Sequence, residues 1–121
     1  MKKLFLGLFF LFVTLQSYAG DSLNAILLER KGIGHLDGLI PADQPEVYYD
    51  SSNLEIIIEA DGFACYYDVE IYPANSAIPI ISIQIDGYGD TIDISSLLAD
   101  DYTIIIYSPY NNQFEGGFTI E

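Results

Sequence analysis

The stretch Leu97-Leu98-Ala99-Asp100-Asp101-Tyr102-Thr103-Ile104-Ile105-Ile106-Tyr107-Ser108 decides the fold. From Tyr102 to Ser108 the residues read as a strand. Tyr102, Ile104 and Ile106 fall on one side, which points inward. A leucine-bearing acidic turn leads straight into that tyrosine. A tyrosine at the start of a strand after such a turn is what a tyrosine corner uses: the ring packs inward and the hydroxyl satisfies a backbone group of the turn. The plainer reading of Tyr102 is one more inward aromatic.

Six further strands are predicted around this one. They are Leu23 to Glu29, Asn53 to Ala60, Cys65 to Tyr72, Ile78 to Asp86, Thr91 to Ser95 and Phe114 to Ile120. Alternation directs Leu54, Ile56 and Ile58 to one side of the second of these. It turns Tyr67, Val69 and Ile71 inward, and likewise Ile81, Ile83 and Ile85, Ile92 and Ile94, and Phe118 and Ile120. Asp61-Gly62, Asp86-Gly87-Tyr88-Gly89-Asp90, Pro73-Ala74-Asn75-Ser76 and Pro109-Tyr110-Asn111-Asn112 punctuate them with turn-forming residues. About seven short strands at intervals of roughly 8–12 residues argue for an all-β sandwich. A small open barrel is the alternative. Residues 30–50 break the rhythm with Gly32, Gly34, Gly38, Pro41 and Pro45. They read as a long ordered connection carrying a short edge strand near Val47 to Tyr49.

Residues 1–19 read as a cleaved signal peptide. Lys2 and Lys3 precede an apolar run from Leu4 to Val13, and Ser17-Tyr18-Ala19 supplies the small residues of a cut after Ala19. Taking 19 residues from 121 leaves 102, read as a single domain over 20–121. Losing the two lysines moves the formal charge from −14 to −16. Such acidity argues against nucleic acid and anionic membrane surfaces, which need a positive footprint. No later apolar run approaches the roughly 18–20 residues of a spanning helix. All 18 isoleucines lie after the cut, too apolar a content for disorder. Gly20 and Asp21 stand where a lipid-anchor cysteine would be. The expectation is therefore an exported protein, periplasmic or secreted to the cell surface, and the short Lys-Lys start has a bacterial look. Cys65 is the one cysteine, so no internal disulfide forms. It is expected as a small buried hydrophobe.

Few chemistries fit. A Cys–His pair would need Cys65 and His35, the one histidine, to meet. Zinc needs more His or Cys ligands than exist here. With 18 carboxylates some close pair is inevitable, so proximity does not signal a glycosidase or other small hydrolase. Calcium is the metal that fits best: Asp86 and Asp90 flank a glycine turn with Asp93 beyond, and Asp100-Asp101 is a second candidate. Tyr66, Tyr72, Tyr88 and Tyr110 are the candidate binding residues, as outward or loop tyrosines that stack on sugars or anchor protein interfaces. Ile57, Ile80 and Ile105 also fall on outward positions, where a continuous patch would mark a partner surface or a homodimer through a strand edge. The leading expectation is a non-enzymatic module that binds an extracellular protein or glycan. The alternatives are a calcium-dependent adhesion or stability module and an acid-pair hydrolase.

Several motifs carry a resemblance: Leu54-Glu55-Ile56-Ile57-Ile58, Tyr67-Asp68-Val69-Glu70-Ile71-Tyr72, Ile92-Asp93-Ile94-Ser95-Ser96-Leu97, Tyr102-Thr103-Ile104-Ile105-Ile106 and Gly117-Phe118-Thr119-Ile120. With the signal peptide, the chain resembles the short exported immunoglobulin-like proteins of gut Bacteroidetes, a domain family of unknown function. The resemblance implies an immunoglobulin-like/fibronectin-III-like β-sandwich and no settled activity. That family commonly has a glycine before the tyrosine, where Asp101 stands here. The leucine turn and the last two strands are also similar to the sorting tails of type IX secretion. Those tails follow a large cargo domain, and here only the signal peptide precedes the sandwich.

Overall fold

The structure is a computed structural model that describes residues 22–31 and 41–121. Residues 1–19, the predicted signal peptide, and His35 lie outside the described residues. Among the described residues, nine strands form two antiparallel sheets: β1 (Leu23–Ile26), β2 (Glu29–Lys31), β3 (Glu46–Asp50), β4 (Glu55–Glu59), β5 (Tyr66–Pro73), β6 (Ile81–Asp86), β7 (Gly89–Asp93), β8 (Asp100–Tyr107) and β9 (Gln113–Ile120). One sheet has the order β1-β3-β4-β7 and the other β2-β9-β8-β5-β6. Hairpins join β3 to β4, β5 to β6 and β8 to β9, while the other connections cross between sheets.

The alternating residues meet between the sheets. Ile56 and Ile58 from one sheet face Val69, Ile71, Ile104 and Ile106 from the other, all buried. Isoleucine suits this place because its branched side chain packs on a pleated surface. Tyr102 and Phe118 sit opposite each other in the β8–β9 register and stack at 5.4 Å. Phe118 also meets Tyr49 of the facing sheet at 5.4 Å. The Tyr102 hydroxyl donates to the Leu98 carbonyl at 2.6 Å, so the corner tyrosine is present with its hydrogen bond.

Four expectations need correction. The predicted strand Leu23 to Glu29 is two strands in different sheets, β1 and β2, with Leu27-Leu28 as the crossing. Gly116 permits that crossing, since a Cβ there would lie 2.6 Å from Ile26 Cγ2 and 2.9 Å from the Leu27 carbonyl oxygen. The edge strand near Val47 is β3, an interior strand between β1 and β4. Ile83 does not reach the core. It is 40% exposed because β6 is the outer strand of the wider sheet and overhangs the narrower one. Cys65 is exposed; Ala64 takes the buried place, because β5 starts at Tyr66 and the residues before it belong to a loop.

Removing the corner hydroxyl with Tyr102→Phe leaves the Leu98 carbonyl without its partner. It is expected to lower the unfolding free energy by about 1 kcal/mol, read from the denaturant midpoint at unchanged slope.

Candidate functional site

Three connections meet at one end of the sandwich: the β4–β5 loop, the β6–β7 turn and the β8–β9 turn. Local chemistry shapes each. Asp61 accepts the Phe63 N–H at 2.9 Å, a side-chain-closed turn that sends the Phe63 ring outward. Asp86 does the same for the Tyr88 N–H at 2.7 Å. The Gly62 N–H donates to the Gly87 carbonyl at 3.1 Å and the Ala60 N–H to the Tyr88 carbonyl at 3.2 Å, which ties loop to turn. Gly62 has φ of +86°, and a Cβ there would press to 2.5 Å from the Tyr88 ring, so only glycine lets that ring lie against the loop. The Phe63 and Tyr110 rings are 5.4 Å apart, and the Tyr110 hydroxyl donates to the Phe63 carbonyl at 3.3 Å.

The result is an aromatic tip. Phe63, Tyr88 and Tyr110 are 54%, 72% and 50% exposed. Tyr66 opens β5 at the same end, across from Asp86. Three of the four candidate tyrosines therefore share one end of the fold. Tyr72 lies toward the other end of β5, on the outer face. Its hydroxyl donates to Glu70 Oε1 at 2.6 Å, and Tyr107 donates to the same oxygen at 3.2 Å. That hydrogen bond, with burial and the carboxylate charge behind it, pushes the Tyr72 phenol up to about 12. A shallow groove of about 480 Å³ runs beside Tyr72, Pro73, Thr103 and Ile105.

Beneath the tip sits a polar cluster that sequence reasoning missed. Asp43 is 3% exposed. Its carboxylate accepts the Asn112 Nδ2 hydrogens at 2.9 Å to each oxygen and a short hydrogen bond from the Ser108 hydroxyl. Its backbone carbonyl accepts the Tyr67 hydroxyl at 2.8 Å. Ser108 Oγ also accepts the Tyr110 N–H at 3.2 Å. Burial, then the nearby Asp43 and Asp61 carboxylates, pushes the Tyr67 phenol up to about 12. The partners lie 65 and 69 residues from Asp43 in the chain, so no local pattern marks them. Phe63 was also missed; its one signal is its place directly after Asp61-Gly62.

The three calcium-candidate aspartates do not converge. Asp86 ends β6, whereas Asp90 and Asp93 are three residues apart on β7 and point to opposite faces. Asp90 accepts the Thr91 N–H at 2.8 Å and Asp93 the Ser95 N–H at 2.9 Å. Hydrogen bonds from Ser95 hold the Asp93 carboxyl below its ordinary value. In the second candidate pair, Asp100 accepts the Asp101 N–H at 2.8 Å and Asp101 accepts the Thr119 hydroxyl at 2.6 Å. Among the described residues no three His, Cys, Asp or Glu side chains are grouped to hold a metal ion. No helix among them is long and apolar enough to cross a membrane.

No family model matches the sequence, and the search of curated proteins found no match. The solved structures do contain similar folds. A DUF3244 family protein with an immunoglobulin-like β-sandwich fold, from Bacteroides vulgatus, superposes with a TM-score of 0.64 at 16% identity, covering 82% of this chain and 99% of that one. The fold is an immunoglobulin-like β-sandwich. The family of that neighbour has no known function, in keeping with the resemblance carried by the strand motifs. Within this immunoglobulin-like frame the aromatic tip is built on the connections that link the strands at one end, where such sandwiches cluster their loops.

Two outcomes follow from the site. A phenol raised in the folded state keeps its proton after the unfolded chain has released its own. The stability due to Tyr67 is full below about pH 10 and falls as pH rises toward about 12, by up to about 1.4 kcal/mol per pH unit. Tyr67→Phe is expected to flatten the alkaline slope of unfolding free energy against pH, whatever it does to stability at neutral pH. The scattered aspartates lead to the second outcome: melting temperatures with added calcium and with chelator are expected to coincide.

Proposed function

We propose that the chain is an exported, non-enzymatic binding module that meets an extracellular glycan or protein with its aromatic tip. The single observation that carries the reading is the exposure of Phe63, Tyr88 and Tyr110 side by side on hydrogen-bonded loops. Rings held in place lose little entropy on binding and offer flat area to a sugar face or an apolar side chain. Asp61 and Asp86, at the base of the tip, add carboxylates suited to sugar hydroxyls or to a basic partner surface. Tyr66 extends the tip onto the outer face, and Tyr72 stands apart from it. The absence of tryptophan and the single histidine and cysteine of the sequence support a role without catalysis.

A glycan array and a pull-down from extracellular material, both with residues 20–121, test the reading. Tyr88→Ala and Tyr110→Ala are each expected to weaken the captured ligand about tenfold. Tyr88→Ala leaves the melting temperature unchanged because that ring is 72% exposed, and Tyr110→Ala lowers it slightly by losing the bond to the Phe63 carbonyl. Tyr72→Ala is expected to leave binding as it was. A ligand indifferent to the tip variants would overturn the proposal.

A further inference from the structure

Among the described residues β6 is the outer strand of the five-stranded sheet, paired only with β5. An open ladder of this kind is a template for another strand unless it is short, charged or interrupted. The other outer strands have such protection. β2 is three residues long and all three are charged, β1 has four residues, and β7 contains Gly89, Asp90 and Asp93. β6 has six residues, no charge from Ile81 to Ile85, and a single aspartate at its end. In a chain with 18 acidic residues that uncharged run stands out. Isoleucines are exposed along it: Ile83 within the strand, and Ile80 and Ile78 leading in.

We propose that β6 pairs antiparallel with β6 of a second copy about a two-fold axis at Ile83, joining two five-stranded sheets into one of ten strands. The strand is self-complementary about that residue. Directly opposed residues of an antiparallel pair share a face. Ile83 therefore meets its own counterpart, Ile81 meets the counterpart of Ile85, and Ser82 meets the counterpart of Gln84. Isoleucines fall on isoleucines on the core-facing side, and hydrogen-bonding side chains meet on the outer side. A slip by one residue would set Ile83 against Gln84 and lose the match. The pairing also covers the Ile83 side chain that the overhang leaves exposed.

Charge allows the contact. Asp86 lies three residues from the axis, so the two copies of Asp86 are about 20 Å apart along the paired strands. That exceeds the Debye length of about 8 Å at physiological salt. The contact is isologous, closes on itself, and leaves no new edge at the joint.

Light scattering and sedimentation equilibrium on the purified protein test the dimer. A mass that rises with concentration from one chain to two is expected. Ile83→Lys sets like charges across the axis and is expected to weaken association by at least about tenfold, with an unchanged far-ultraviolet spectrum. A second variant gives a positive signal that misfolding cannot imitate. In a Cys65→Ser background, Ile83→Cys is expected to form a disulfide-linked dimer on mild oxidation, because the axial pair lies within disulfide reach. Gln84→Cys in the same background is expected to cross-link far less, because each copy stands a residue off the axis. A single-chain mass at every concentration, a dimer indifferent to Ile83→Lys, or equal cross-linking by both cysteine variants would overturn the proposal.

Discussion

The buried Asp43 carboxylate ties the segment that leads into β3 to the turn between β8 and β9, 65 to 69 residues further on. It receives the Ser108 hydroxyl and the Asn112 amide, and its own main-chain carbonyl receives the Tyr67 hydroxyl. A carboxylate taken out of water is costly unless donors surround it, and here both oxygens are served. The residues that lead into β3, the turn between β8 and β9, and the interior strand β5 are thereby locked in one arrangement. Ser108 passes the constraint on to the Tyr110 backbone, and the Tyr110 hydroxyl passes it to the Phe63 carbonyl. The aromatic tip is the outer layer of this pinned cluster.

The other end of the fold is fixed differently. There Tyr102 packs on Phe118, Phe118 packs on Tyr49 across the sheets, and the Tyr102 hydroxyl closes the turn before β8. Between the two ends lies a core that is largely isoleucine. A chain with one cysteine has no cross-bridge to constrain its unfolded state, so sheet packing and the two hydrogen-bonded ends supply its cohesion. Apart from the buried Asp43 and Asp50, most acidic residues are exposed or half-buried, and several accept a backbone N–H two residues on, as Asp61, Asp86 and Asp93 do. Much of the charge is thus part of the turn chemistry.

The strands were legible in the sequence wherever one face is buried, because alternation then shows at period two. Tyr67 to Ile71, Ile92 to Ile94 and Tyr102 to Ile106 are of this kind, and all their inward residues are buried. Alternation says nothing about sheet width, so Ile83 read as inward although β6 overhangs the facing sheet. It also cannot show a strand that changes sheets, so β1 and β2 read as one. β3 reads as a short edge strand because its neighbours up the chain are glycines and prolines; its interior place between β1 and β4 is a long-range fact. The tip was partly legible through Tyr66, Tyr88 and Tyr110, loop or outward tyrosines in an otherwise apolar-and-acidic chain. What gathers them, the Asp43 cluster, depends on contacts across more than sixty residues.

Amide hydrogen exchange on Asp43→Asn tests the pinning most directly. The substitution keeps the size of the side chain and replaces one accepting oxygen with a donor that clashes with the donors from Ser108 and Asn112. Selective loss of protection at the amides of 42–44, Ser108 and 110–112, spreading to Phe63 while β8 beyond the Tyr102 corner stays protected, is the result the account requires. Protection at Ser108, 110–112 and Phe63 equal to that of the unaltered protein would contradict it.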